Sequence, residues 1–195
     1  AGKTSLVRVI TGLLRPLSGT VRINGKDPFR HSRAIKAAIG LVPQETALYS
    51  ELSAYGNCEF QASLYNLPSR KIKARIQEVL ELVDLKQRMK DPVKTFSGGM
   101  ERRLAIGKAL LHDPQILILD DSTSSIDSAT EDEIQKAIFE AARGRTTLII
   151  THRLSQIRWA DTILVLRKGE VIARGAHDDL LETSTAYKRL FEGMR

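Results

Sequence analysis

The chain has 195 residues, 42% of them hydrophobic and 27% charged; that balance suits one globular domain, or one carrying an inserted subdomain, and excludes disordered, collagenous and fibrous chains. The longest strictly apolar stretches, such as Ile116 to Leu119 and Ile163 to Leu166, fall far short of the roughly 20 residues that cross a bilayer. The net charge of +7 comes without a basic arm, since Arg102 and Arg103 follow Glu101 and Lys168 precedes Glu170, so no nucleic acid is expected; the lone Cys58 makes no internal disulfide and suits a reducing compartment.

In chain order, Leu6, Val7, Val9 and Ile10 predict a short helix that stops at Gly12. Gly19 to Ile23 alternates and is β-branched, and Asn24-Gly25 closes it, so a strand and a turn are expected. Ser32 to Ala38 predicts a helix, and Ile39 to Val42 a buried strand ended by Pro43. Helical character runs from about Ser53 to Val83, interrupted at Pro68-Ser69, with Ile72, Ile76, Val79, Leu80 and Val83 on one face. Another helix is predicted from about Gly99 to Leu111. A buried strand at Gln115 to Leu119, a helix at Ala129 to Ala142 and a strand at Thr146 to Ile150 follow. Thr162 to Leu166 and Glu170 to Ala173 are expected to pair across Lys168-Gly169. The alternation argues for an α/β layered sheet with an inserted helical unit.

Gly2-Lys3-Thr4 matches the end of a phosphate-binding loop. In such a loop, backbone N–H groups at a helix start surround phosphates, the lysine reaches the β/γ oxygens and the hydroxyl serves Mg²⁺. Asp120 ends an apolar strand, and in an open α/β sheet ligands sit beyond the carboxyl ends of the strands. Ser97-Gly98-Gly99 opens a helix, where a hydroxyl and bare amides can face an anion, although serine is also simply a favoured cap.

Taken together, Gly2-Lys3-Thr4, Pro43-Gln44, Ser97-Gly98-Gly99, Leu119-Asp120-Asp121, Ser124 to Asp127 and Thr151-His152 resemble the nucleotide-binding domain of ATP-binding cassette transporters. The resemblance spans nearly the whole chain. It implies a P-loop NTPase (RecA-like) layered sheet, formed by residues 1–50 and 112–195, with an α-helical signature subdomain over about 51–111. It further implies ATP as ligand: Gly2, Lys3, Thr4 and Ser5 belong to the phosphate loop, and Thr4, Gln44 and Asp120 would hold Mg²⁺. Ser97, Gly98 and Gly99 would reach ATP bound on a second nucleotide-binding domain, with Asp127 communicating across that dimer. His152 would contact the γ-phosphate, and Gln44 the attacking water. By the same resemblance, a transmembrane permease domain, fused or separate, is the other partner, and the protein would work at the cytoplasmic face of the cell membrane. The segment from Glu45 to Tyr55 would meet that partner. The glycine that leads the phosphate loop, its strand and an aromatic against adenine would precede Ala1.

Two positions depart from the family pattern. Asp121 stands where the family usually has the glutamate that polarises the attacking water. Its carboxylate is one methylene, about 1.5 Å, shorter in reach, which matches the degenerate sites of heterodimeric exporters. Met100 replaces a common glutamine, as in drug- and polysaccharide-export cassettes. The first half thus resembles separate-subunit cassettes, whereas Thr151 to Ser155 and Gly175 to Leu181 resemble fused multidrug or lipid exporters. The expected function is an ATPase that powers transmembrane transport, in the export direction. The alternatives are a soluble cassette ATPase acting on DNA or the ribosome, and an ATP-binding regulatory pseudo-ATPase. Cys58, His31, His112, His177 and Trp159 are read as packing or surface residues.

Overall fold

The computed structural model describes residues 2–120, 128–151 and 153–192. The chain forms two compact units, Ala1–Ser32 with Ile149–Arg195, and Arg33–Leu148.

The first unit begins with helix α1, Lys3–Ile10, which buries Val7. The Thr11 hydroxyl donates to the Val7 carbonyl at 2.8 Å and ends it. The strand expected at Gly19 to Ile23 is not formed. Instead Ile23 and Lys26 exchange two backbone hydrogen bonds of 2.9 Å around Asn24 and Gly25, whose φ angles are 49° and 74°. The left-handed turn was legible, but a β-branched run becomes a strand only where a neighbour accepts its backbone groups.

The second unit opens in helix α2, Ser32–Ala38, and continues into strand β1, Ile39–Val42. Helices α3, Ala54–Leu64, and α4, Ser69–Leu82, follow, parted at Pro68, which sits at the cap of α4. Pro68 is tolerated there because the first helical N–H groups have no intrahelical partner anyway. Ile76, Val79, Leu80 and Val83 are buried as the spacing predicts. Then come helix α5, Gly98–Leu110, strand β2, Ile116–Asp120, helix α6, Ser128–Ala142, and strand β3, Thr146–Ile150.

The sheet has the order β1-β2-β3, with β1 and β2 parallel and Val42 opposite Leu119. Leu117, Ile118 and Leu119 are fully buried, so both faces of β2 are covered, as for an inner strand of a parallel sheet. Helix α5 is the centre of this unit. Leu104, Ile106 and Leu110 are buried, and Gly107 lets it approach α4, where an added Cβ would meet Val83 at 3.2 Å. Helix α6 contributes Ile134, Ala137, Ile138 and Ala141, the four residues its periodicity turns inward.

The first unit resumes with helix α7, Leu154–Ile157, strands β4, Ile163–Arg167, and β5, Glu170–Gly175, and helices α8, His177–Thr183, and α9, Thr185–Glu192. Strands β4 and β5 are antiparallel, turning at Lys168 (φ 51°) and Gly169 (φ 88°) as the sequence predicts. Val165, Leu180 and Tyr187 form their core, and the His177 Nδ1 lies 2.7 Å from the Tyr187 hydroxyl. Among the described residues, no helix is long and apolar enough to cross a membrane.

Candidate functional site

In the first unit, Gly2 caps α1 in a left-handed conformation (φ 96°, ψ −11°), which glycine adopts without a Cβ penalty. As a glycine, the cap residue offers this helix start no side-chain bond. The Gly2 carbonyl accepts from Leu6 N–H at 2.9 Å, so the helix begins at once after the turn. Lys3, Thr4 and Ser5 form its first turn and are exposed. An ammonium, two hydroxyls and the free N–H groups of a helix start thus share one end of α1. That combination suits a polyanion.

In the second unit, two chain segments leave the carboxyl ends of adjacent parallel strands. Gln44 is exposed in a bend just beyond β1 and Pro43. Asp120 ends β2 and is 8% exposed. Arg102 of α5 joins these two ends. Its Nη1 donates to the Pro43 carbonyl at 2.6 Å and its Nη2 to the Asp120 carbonyl at 2.9 Å. The segment after Gln44 is held at two more places: Lys108 Nζ donates to the Ala47 carbonyl, and Asn57 pairs with the Tyr49 backbone at 2.8 and 2.9 Å.

Ser97 caps α5, its hydroxyl accepting from Met100 N–H at 3.3 Å. Ser97 and Gly98 are exposed, whereas Gly99 is buried. The two glycines differ in kind. A Cβ on Gly98 would meet open space, while one on Gly99 would collide with the Thr130 methyl of α6. Gly98 therefore leaves room at the surface, and Gly99 permits close helix packing.

The second basic residue of this helix, Arg103, donates to the carbonyls of Val83 and Asp84 at 3.1 and 3.2 Å and pairs with Glu133 at 2.9 Å. In the sequence Arg102 and Arg103 follow Glu101 as part of an interspersed charge balance, which gives them no structural role. Their signal was present: in a helix that also buries Gly99 and Ile106, residues three and four apart share one face, so these arginines had to enter the interior.

Cys58 is fully buried on α3, and burial pushes its thiol up to about 12, with the charge of Lys108 pulling the other way. It is inert packing, as expected. His112 stacks on Tyr65 with ring centroids 3.8 Å apart, and its Nε2 lies 3.0 Å from the Ile39 carbonyl. Among the described residues, no three His, Cys, Asp or Glu side chains converge as a metal site. Asp121, Asp127 and His152 lie outside the described residues.

Comparison with known proteins places this geometry in a family. The chain is 38% identical over 182 residues to the linearmycin resistance ATP-binding protein LnrL of Bacillus subtilis, across 92% of this chain and 58% of that protein. The chain therefore spans somewhat more than half the length of that relative. It is 33% identical over 186 residues to the ABC transporter ATP-binding protein NatA of Bacillus subtilis, covering 94% of this chain and 76% of NatA. Among solved structures, a bacterial Atm1-family ABC exporter with ATP bound superposes with a TM-score of 0.82 at 29% identity, over 98% of this chain and 34% of the exporter chain. The ABC transporter family profile itself matches residues 1–124. With its parallel sheet, its glycine-opened first helix and its serine-capped α5, the chain has the α/β fold of the P-loop NTPases and belongs to the ABC transporter family.

Proposed function

We propose that the chain is an ATP-binding and ATP-hydrolysing domain that powers transmembrane transport, in the export direction. The observation that carries this is the start of α1, where Gly2 is left-handed and Lys3, Thr4 and Ser5 stand exposed in the first helical turn, whose N–H groups have no intrahelical acceptor. In this reading Lys3 neutralises the β- and γ-phosphates and the α1 backbone orients them. Thr4, Gln44 and Asp120 would hold Mg²⁺, and they fit it: a hydroxyl, an amide oxygen and a carboxylate are the hard oxygen donors this ion takes. When bound, the ion would offset phosphate charge. Gln44 and Asp121 would orient and deprotonate the attacking water, and His152 would contact the γ-phosphate.

The exposed Ser97 and Gly98 would face a nucleotide held by a second nucleotide-binding domain, with Gly99 setting the helix beneath them and Asp127 near the same junction. A composite site of this kind opens and closes with nucleotide, and the motion would pass through the segment after Gln44 to a transmembrane permease domain. The division of labour proposed is a RecA-like core of residues 1–50 and 112–195 with a helical signature subdomain between. The protein would then lie at the cytoplasmic face of the cell membrane. The relatives named for drug resistance and export support the direction of transport.

Single-turnover ATP hydrolysis by the intact transporter tests the reading. Lys3→Met should abolish nucleotide trapping. Asp121→Glu should raise the hydrolysis rate at this site by about tenfold or more, because a displacement of an ångström costs rates of that order. Trapping that survives Lys3→Met would overturn the assignment of the phosphate loop. An unchanged rate in Asp121→Glu would overturn the assignment of a degenerate base.

A further inference from the structure

We propose that Arg102 is a positioning residue that locks the helix opened by Ser97 to the two strand ends carrying Gln44 and Asp120, so that the three move as one body. The inference rests on the ATPase reading above and names the part that links its pieces. Arg102 is 4% exposed, and two of its guanidinium nitrogens donate to main-chain carbonyls. Val42 lies opposite Leu119 in the parallel register, so Pro43 and Asp120 are the next positions on neighbouring strands. The planar guanidinium fork spans them with two N–H donors in a fixed geometry. A lysine ammonium is a point charge and would hold one carbonyl or the other.

The tether is reinforced farther along α5. Lys108 reaches the Ala47 carbonyl, and Asn57 of α3 holds the backbone of Tyr49. The segment from Pro43 to Tyr49 is thus fastened at three points, two of them on the helix that begins at Ser97. Any rotation of α5 must carry the main chain around Gln44 and the end of β2 with it, or break two charge-assisted hydrogen bonds inside the protein. Breaking them is expensive above all at the Asp120 carbonyl, which would lose its arginine partner in the buried interior. Binding sensed at Ser97 is in this way delivered to the groups that orient water and metal. Arg102 donates to main-chain carbonyls at the edge of the proposed site, so its loss should misplace the reacting groups more than it weakens nucleotide binding.

The test uses the intact transporter and the variants Arg102→Lys, Arg102→Met and Lys108→Gln. ATPase kinetics are read together with segment-resolved hydrogen exchange. Arg102→Met should lower kcat by about tenfold or more with KM for ATP within about threefold, and Arg102→Lys should fall between it and wild type. In both, backbone exchange at residues 44–50 should accelerate while the 104–110 amides stay protected. Lys108→Gln, at a half-buried position, should loosen 46–50 and lower kcat by a few-fold at unchanged melting temperature, and it carries the test should the Arg102 variants fail to fold. Exchange at 44–50 that matches wild type in a folded variant, or a rise in KM at unchanged kcat, overturns the proposal. A wild-type transporter that neither binds nor hydrolyses ATP overturns the ATPase reading instead, and the exchange data then judge the mechanical link alone.

Discussion

Helices α1 and α5 both start next to glycine and both carry cationic side chains, yet they use them in opposite ways. In α1 the cation Lys3 and the hydroxyls of Thr4 and Ser5 stand in solvent at the helix start. In α5 the start is left to Ser97 and Gly98, and the cations Arg102 and Arg103 are turned into the protein. A polar group that awaits a ligand must remain accessible, because burying it without a partner is costly. A polar group that ties elements together has its partners supplied by the fold, and burial then strengthens each bond. The difference separates recognition from coupling, and it can be tested at matched substitutions.

The widest gap is expected between the two cations. Arg103→Met would strand the Val83 and Asp84 carbonyls and should cost about 3 kcal/mol in stability, read by denaturant or thermal unfolding. Lys3→Met should leave the unfolding curve within about 0.5 kcal/mol of wild type, since an exposed substitution removes no packed contact. Equal losses in the two variants would erase the contrast between the helices.

A smaller difference is expected inside the signature turn. Gly99→Ala should destabilise by about 1–3 kcal/mol through its clash with Thr130, and adding Thr130→Ser, which removes the colliding methyl, should recover most of it. Gly98→Ala meets open space and should not lower stability, while it would still crowd a nucleotide brought against this turn. A stability loss at Gly98 as large as that at Gly99 would show that the two glycines share one structural role.

The smallest effect concerns His112. Burial lowers its pKa below the ordinary 6.5, with the Ile39 carbonyl opposing, Arg75 acting in the same sense as burial and Asp113 opposing. The unfolded chain then takes up its proton at a higher pH than the folded one. Stability is therefore full above about pH 6.5 and declines as pH falls from there toward the folded pKa. The difference in unfolding midpoint between pH 7.5 and pH 5.5 should narrow in His112→Gln. An undiminished difference would assign that pH dependence to other groups.

Much of the architecture was readable from periodicity alone. The α4 and α6 faces, the apolar β2 run and the Lys168-Gly169 turn all depend on local spacing and backbone preference, and each lies where the pattern puts it. Gly19 to Ile23 failed because pairing is not a local property. The four-residue helix α7 carries too few turns for a clear period.

The sequence by itself marked Gly2 to Ser5, Gln44, Ser97 to Gly99 and Asp120 as polar or glycine positions at element ends, because motif spacing along the chain records which groups stand there. It also determined which helix faces are apolar. Only the tertiary structure decided that Arg102 belongs to two strands at once and that Gly99, unlike Gly98, is a packing residue. Those roles depend on atoms brought together from distant parts of the chain, Pro43 and Asp120 for the arginine and Thr130 for the glycine, and no local pattern encodes where a folded chain will place another segment's carbonyl or methyl group.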